Sequence, residues 1–139
     1  MPTFPGVGLS RGEADTSIWI DHLRSGNAVL AGLLNDIAVL AHPWVIGELA
    51  LGNLSRRQEV IGLLYGLPQA AVAGEGEVLS LIDREALHGI GIGYVDAQLL
   101  AATRLTPDAR LWTSDRRLSA VTRQLDLGFE PVPYSEPRD

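Results

Sequence analysis

Apolar positions along the chain recur at helical spacing in several segments, which glycine and proline separate from one another. Seven segments have this pattern and predict helices: "TSIWIDHLRSG", "NAVLAGLLND", "PWVIGELALG", "SRRQEVIGLLYGLP", "GEGEVLSLIDREALHG", "GIGIGYVDAQLLAATRL" and "RRLSAVTRQLDLG". Pro43 suits the first turn of the third segment, and Gly128 is placed to cap the last. The chain is therefore predicted to be rich in short helices.

Three shorter apolar runs predict strands between these helices. They are "IAVLAHP", "ARLWTSD" and, as a last strand, "FEPVP". Short apolar strands that alternate with helices are typical of an α/β fold with a mostly parallel central sheet flanked by helices. Chemistry in such sheets gathers beyond the carboxyl ends of the strands, so polar residues at those ends are the first candidates for a site.

Composition narrows the class of protein. The 139 residues fit one domain, residues 1–139, and the absence of cysteine excludes disulfides and thiolate chemistry and suits a cytoplasmic protein. The N-terminus lacks the pattern of a signal peptide, and no apolar stretch approaches the roughly 18 residues that span a membrane. The net charge of −6 means that any contact with nucleic acid is local or bridged by a metal ion. All 11 cationic residues are arginines, which excludes mechanisms that need a lysine.

Four acids stand in apolar or small-residue sequence: Asp15, Glu48, Asp96 and Asp115. Each has an ordinary structural explanation as well, because Asp15 and Asp115 are placed to cap helices and Asp96 lies at the positive end of one. Glu48 has the weakest such explanation, since its helix is otherwise apolar. Several carboxylates gathered together repel unless protons or a cation intervene, so the four predict a cation site if the fold brings them together.

The segments "DTSIWIDHLR", "IGELALG", "GIGYVDAQLLAAT" and "LWTSDRRL" resemble, in order, those of PIN-domain proteins of the VapC toxin type. The resemblance runs from Asp15 to Leu118 and implies a metal-dependent ribonuclease toxin that a cognate antitoxin neutralises. It implies Asp15, Asp96 and Asp115 as ligands of Mg²⁺, with Mn²⁺ as a substitute, and Glu48 as the residue that positions or deprotonates a water. It also implies RNA as substrate and a homodimer.

The functional roles of other residues near these motifs are less specifically indicated. Ser17 and Thr113 match small hydroxyl positions that support the carboxylates by hydrogen bonds. Arg24, Arg116 and Arg117 are candidates to hold flanking phosphates, although arginines on a solvated helix face are equally ordinary. The three histidines form no metal-binding pair and are interpreted as structural or surface residues, and the glycines of "GIGIG" as allowing a tight approach before the Asp96 helix.

The first strand departs from the resemblance. The residues before Asp15 are "GVGLSRGEA", with Arg11 and Glu13 where the family has apolar residues. Residues 1–14 are therefore predicted to form a short and irregular first strand, or to lie partly outside the native fold.

Rival functions remain at this point. Receiver domains and haloacid-dehalogenase-type phosphatases also place an aspartate after a first strand, but both rely on a lysine. A non-catalytic PIN-like interaction module and a DNA-directed nuclease of the same fold stay open. The helices "WVIGELALG" and "EVIGLLYGL" are apolar enough for the core, whereas the resemblance implies a dimer contact and an antitoxin groove for them, and the two interpretations are about equally strong.

Overall fold

The computed structural model describes residues 10–131. Within them the chain forms three strands, β1 (Arg11–Ala14), β2 (Val39–Leu40) and β3 (Ala109–Trp112). The helices of the same range are α1 (Thr16–Ser25), α2 (Ala28–Asn35), α3 (Pro43–Ala50), α4 (Arg57–Tyr65), α5 (Glu75–Arg84), α6 (Tyr94–Leu105) and α7 (Arg116–Gln124). The α/β class and the seven predicted helices are confirmed.

The sheet is parallel and has the order β2-β1-β3, so the first strand is the central one. β1 pairs in regular register with both neighbours: Gly12 lies opposite Val39, and Arg11 and Ala14 lie opposite Ala109 and Trp112. The first strand is thus short, as predicted, but the prediction that it is irregular is wrong for residues 11–14. Pairing on both sides holds this short segment extended despite its polar sequence, and residues 1–9 lie outside the described part of the chain.

Two smaller predictions at the C-terminal end are also wrong. α7 ends at Gln124 with Leu125 as its C-cap, and Gly128 instead forms an isolated parallel bridge with Leu111. Residues 129–131 contain no strand, although the backbone N–H of Phe129 donates to the carbonyl of Leu111. The rest of "FEPVP" lies outside the described residues. As far as residue 131, the chain after α7 therefore pairs beside β3 through one isolated bridge.

α6 is the most buried helix of this part of the chain. Seven consecutive residues, 97–103, are buried, and the helix packs against α5 and β3. Helix α3 is buried on one face only, through Val45, Ile46 and Leu49, while the opposite face is open to solvent. The packing fixes the first turn of α6 and the exposed face of α3 beside the carboxyl ends of the strands. No helix among residues 10–131 combines the length and apolar character needed to span a membrane.

Candidate functional site

Asp15 follows the last residue of β1 and begins α1. Its Oδ1 accepts hydrogen bonds from the backbone N–H of Ile18, at 3.2 Å, and from the hydroxyl of Ser17, at 2.5 Å. The side chain is therefore the N-cap of α1, as its ordinary structural explanation requires. Burial nevertheless raises its pKa, and the hydrogen bonds from Ser17, Thr113 and the backbone only oppose that rise. Asp15 is a buried carboxylate whose charge is not fully compensated.

Asp115 lies three residues after the end of β3 and just before α7. Its Oδ1 accepts from the backbone N–H of Leu118 at 2.9 Å, which makes it the N-cap of α7. The hydroxyls of Ser17 and Thr113 support the carboxylate of Asp15, as expected, and that of Ser17 also links the ends of β1 and β3. Ser17 Oγ accepts from the backbone N–H of Ser114 at 3.1 Å, and Thr113 Oγ1 accepts from the backbone N–H of Asp115 at 3.0 Å.

Asp96 lies in the first turn of α6, where its Oδ2 accepts from the backbone N–H of Gly93 at 3.1 Å. Its pKa is raised, first by burial and then by the negative charges of Asp15, Asp115 and Glu48. The hydrogen bond from Gly93 opposes this rise. The structure therefore brings the other three acids around Asp96, close enough for their charges to act on it.

Glu48 does not lie in apolar surroundings, contrary to the argument that its sequence neighbours suggested. It is on the exposed face of α3, where a glutamate needs no special explanation. What distinguishes it is a contact across elements: Oε1 accepts a hydrogen bond of 2.6 Å from the hydroxyl of Thr16, at the start of α1. This bond holds the carboxylate beside the helix that Asp15 caps.

No three His, Cys, Asp or Glu side chains in residues 10–131 lie together as a ready-made metal cage. The donor set still suits a hard cation. Magnesium takes oxygen ligands, keeps several of its waters and is usually bound by only one or two carboxylates together with substrate phosphates. The raised pKa of Asp96 reflects an excess of negative charge that a cation would relieve.

The glycine-rich loop before α6 allows the close approach that its sequence suggested. Gly91 has a φ of +89°, and a Cβ at this position would come within 2.6 Å of Arg117 Nη1. The loop thus places the guanidinium of Arg117 close to the segment that leads to Asp96. Arg24 and Arg116 are exposed, which fits a solvated helix face as well as a phosphate contact.

The histidines have the structural or surface roles expected of them. His42 is fully buried, and its Nδ1 accepts from the backbone N–H of Trp44 at 3.0 Å to cap α3. Nδ1 of His22 accepts from the backbone N–H of Asn27, and His88 is exposed.

Sequence reasoning missed two residues of this region. Thr16 is part of "DTSIWIDHLR", and nothing in the sequence marks it as the residue that holds Glu48. Glu13 interrupts the apolar pattern of the first strand, yet it is fully buried in β1, two residues before Asp15. The sequence signal for Glu13 is that it lies in the strand that ends directly before Asp15.

Glu13 is buried as a neutral carboxyl group. Burial raises its pKa to about 8. Its Oε2 lies 3.1 Å from Thr103 Oγ1, which also lies 2.7 Å from the carbonyl of Leu99. A hydroxyl has one proton, so both contacts are satisfied when Glu13 donates to Thr103 and Thr103 donates to Leu99. Oε1 of Glu13 has no partner among the described residues.

Glu13→Gln is expected to stabilise the metal-free protein by on the order of a few kcal/mol at pH 7–8. The raised pKa means that the folded state holds a proton between about pH 4.5 and 8 that the unfolded state releases. The wild type therefore loses stability as the pH rises through that window, whereas the amide does not titrate. Urea unfolding at pH 4.5, 6 and 8 measures the difference, with Glu59→Gln on exposed α4 as the control. A gain that does not depend on pH would contradict the buried neutral acid.

Comparison with curated proteins found two closely similar relatives. The chain is 50% identical over 107 residues to ribonuclease VapC32 of Mycobacterium tuberculosis strain CDC 1551/Oshkosh, and equally so to ribonuclease VapC32 of strain ATCC 25618/H37Rv. The matched region covers 77% of this chain and 86% of each relative. No family model matches the chain.

Proposed function

The chain belongs to the VapC family of ribonucleases, and from this we propose that it is a metal-dependent endoribonuclease toxin that hydrolyses RNA phosphodiester bonds at the four acids. The observation that carries the proposal is the raised pKa of Asp96, which Asp15, Asp115 and Glu48 each increase through their charge. Carboxylates close enough for their charges to act on one another destabilise each other in the absence of a cation. A protein that only needed helix caps would gain nothing from placing them together.

Asp15, Asp96 and Asp115 would hold Mg²⁺, with Mn²⁺ as a substitute. When bound, the ion would polarise the phosphodiester and lower the pKa of water for in-line attack. Glu48 is held by Thr16 and is free to orient the attacking water and take its proton. Ser17 and Thr113 keep the ends of β1 and β3 in place through their hydrogen bonds. Arg117 lies against Gly91, at the edge of the cluster, where it can hold a flanking phosphate.

An acidic chain can bind a polyanion in this way because the cation supplies the positive charge locally. The net charge of −6 therefore agrees with a substrate held at one place and not along a basic groove. We further propose that the protein is cytoplasmic, forms a homodimer and is neutralised by a cognate antitoxin. Membership in the VapC family supports these three statements.

Purified protein should cleave single-stranded RNA when Mg²⁺ or Mn²⁺ is present and should not cleave it in excess EDTA. Asp15→Asn is the matched control, because asparagine keeps the N-cap acceptor of α1 while it removes the charge. Single-stranded DNA of the same sequence tests the choice of nucleic acid. Undiminished cleavage in EDTA, with the Asn variant inactive in the same preparation series, would overturn the metal mechanism. A protein that binds RNA without cleaving it would be an interaction module.

A further inference from the structure

An aromatic pair lies beside the acid cluster and is not used by the mechanism above. Trp44 of α3 and Tyr94 of α6 have ring centroids 5.6 Å apart and planes inclined by 52°, so they touch without stacking face to face. The two residues are 36% and 41% exposed. Large aromatic side chains that stay open to solvent are available for a partner with a flat face of its own.

The pair forms part of the wall of a cavity of about 490 Å³, a size typical of small-molecule sites. The lining is completed by Val72, Ala73, Glu75, Leu79 and Gln98. None of these seven side chains is cationic, and one is a carboxylate. The cavity therefore suits a flat, uncharged group and repels a phosphate.

Gln98 gives the cavity an unsatisfied polar group. It is only 3% exposed, and its Nε2 donates to the carbonyl of Ala73 at 3.3 Å. Its Oε1 has no hydrogen-bond partner among the described residues. A buried acceptor without a partner is costly, and a ligand that carries N–H groups would relieve that cost.

The cavity shares both of its main elements with the acid cluster. Trp44 and Glu48 are four residues apart on α3 and thus lie on one face of the helix, one turn from each other. Tyr94 and Asp96 are in the same first turn of α6, and Gln98 is one turn beyond Tyr94. A nucleic acid strand with a phosphate at the acids would therefore bring a neighbouring nucleotide towards this cavity.

We propose that the cavity between Trp44 and Tyr94 binds one unpaired base of the RNA, next to the phosphodiester that is cleaved. This inference rests on the proposed ribonuclease function and extends it to a substrate-positioning site. Stacking on aromatic side chains is a general means of holding single-stranded RNA, because every base has a flat face and presents polar groups at its edge. The base packs against the exposed rings and donates a hydrogen bond to Oε1 of Gln98. Its phosphate stays outside the cavity, away from the carboxylate of Glu75.

Trp44→Ala and Tyr94→Ala are each expected to raise KM for a short single-stranded RNA by about 5- to 100-fold, the usual effect of removing one stacked base contact. The value of kcat should stay within about twofold, since the acids are untouched. Trp44→Phe keeps a ring and should stay near the wild-type KM. Tyr65→Ala, an exposed tyrosine on α4, is the matched control.

Tryptophan fluorescence gives a second readout that does not depend on cleavage. All three tryptophans lie in the described residues, and Trp19 and Trp112 are buried, so quenching by RNA reports on Trp44. The titration uses an unstructured oligoribonucleotide with Mg²⁺ in a Glu48→Gln background, which retains the three aspartates. Quenching is expected in this protein and should be lost when Trp44 is also replaced by Phe.

The outcomes separate the two proposals. Cleavage by the wild type with unchanged KM in both alanine variants and no quenching would overturn the base site and leave the ribonuclease standing. Quenching at Trp44 without any cleavage would support the base site and overturn the ribonuclease, and absence of both would overturn both. If Trp44→Ala instead changes the molar mass measured by light scattering while RNA binding is unaltered, the pair is a contact between copies of the chain, and the base site is wrong.

Discussion

Asp96→Asn is expected to abolish RNA cleavage while leaving the free energy of unfolding of the metal-free protein unchanged or higher. Asparagine has nearly the same shape, and its side-chain oxygen still accepts from the backbone N–H of Gly93, so the start of α6 is kept. What is lost is one negative charge among four, and with it a ligand for the cation. The variant therefore separates the charge of Asp96 from its role in holding the helix.

The difference in the free energy of unfolding between the wild type and Asp96→Asn is expected to depend on pH. Burial and the three neighbouring acids raise the pKa of Asp96 above its ordinary value. The folded wild type therefore loses stability as the pH rises from the ordinary range of an aspartate through the raised pKa, and the asparagine variant does not. Without metal, the advantage of the variant should appear near pH 7 and vanish at about pH 3, below the range of an aspartate.

Urea unfolding with and without Mg²⁺ measures these changes alongside RNA cleavage. Magnesium should stabilise the wild type more than the variant, because a ligand that binds only the folded state adds its binding free energy to stability. Asp83→Asn, an exposed aspartate on α5, is the matched control. A large loss of stability with cleavage retained would mean that Asp96 is a structural residue of the helix start.

Glu48→Gln is expected to lower RNA cleavage by roughly 10²-fold or more, in line with the usual worth of a positioned general base. The glutamine keeps the length of the side chain, and its Oε1 can still accept from Thr16. Because Glu48 lies on the exposed face of α3, folding should be unaffected, and the near-identical shape of glutamine should also preserve the proposed dimer and antitoxin contacts. Glu48→Asp should be impaired as well, since its shorter side chain draws the carboxylate away from both Thr16 and the water.

Single-turnover cleavage at saturating Mg²⁺ is the decisive measurement, with the exposed Glu59→Gln as control. Near-normal cleavage by Glu48→Gln would exclude Glu48 from the chemistry. The proposed site would then reduce to Asp15, Asp96 and Asp115.

The helices and the order of elements were predictable, whereas the central strand was not. Seven segments with helical spacing became seven helices in the described chain, because each buries apolar residues that recur at that spacing, and α6 is buried almost all round. β1 has the sequence Arg-Gly-Glu-Ala, which carries no strand signal of its own. It is extended because both of its edges are paired, and such tertiary pairing cannot be read from four residues.

The acids could be selected from the sequence, but their surroundings could not. Glu48 has apolar neighbours in the chain, yet the helical period places Val45, Ile46 and Leu49 inside and Glu48 outside. Glu13 shows the opposite case, since a charged residue in a polar segment is fully buried. In both cases the environment depends on which side of an element meets the core, and this is decided by the packing of distant segments.

The central position of β1 has a consequence for folding during translation. Its partner β3 lies nearly a hundred residues further along the chain, and Asp115 comes three residues after the end of β3. Such long-range pairing makes contact order high and forms late in folding. At a synthesis rate of about 5–20 residues per second, Asp115 is added to the chain several seconds after Asp15. A nascent chain on the ribosome therefore cannot assemble the proposed acid site until β3 and Asp115 have been synthesised.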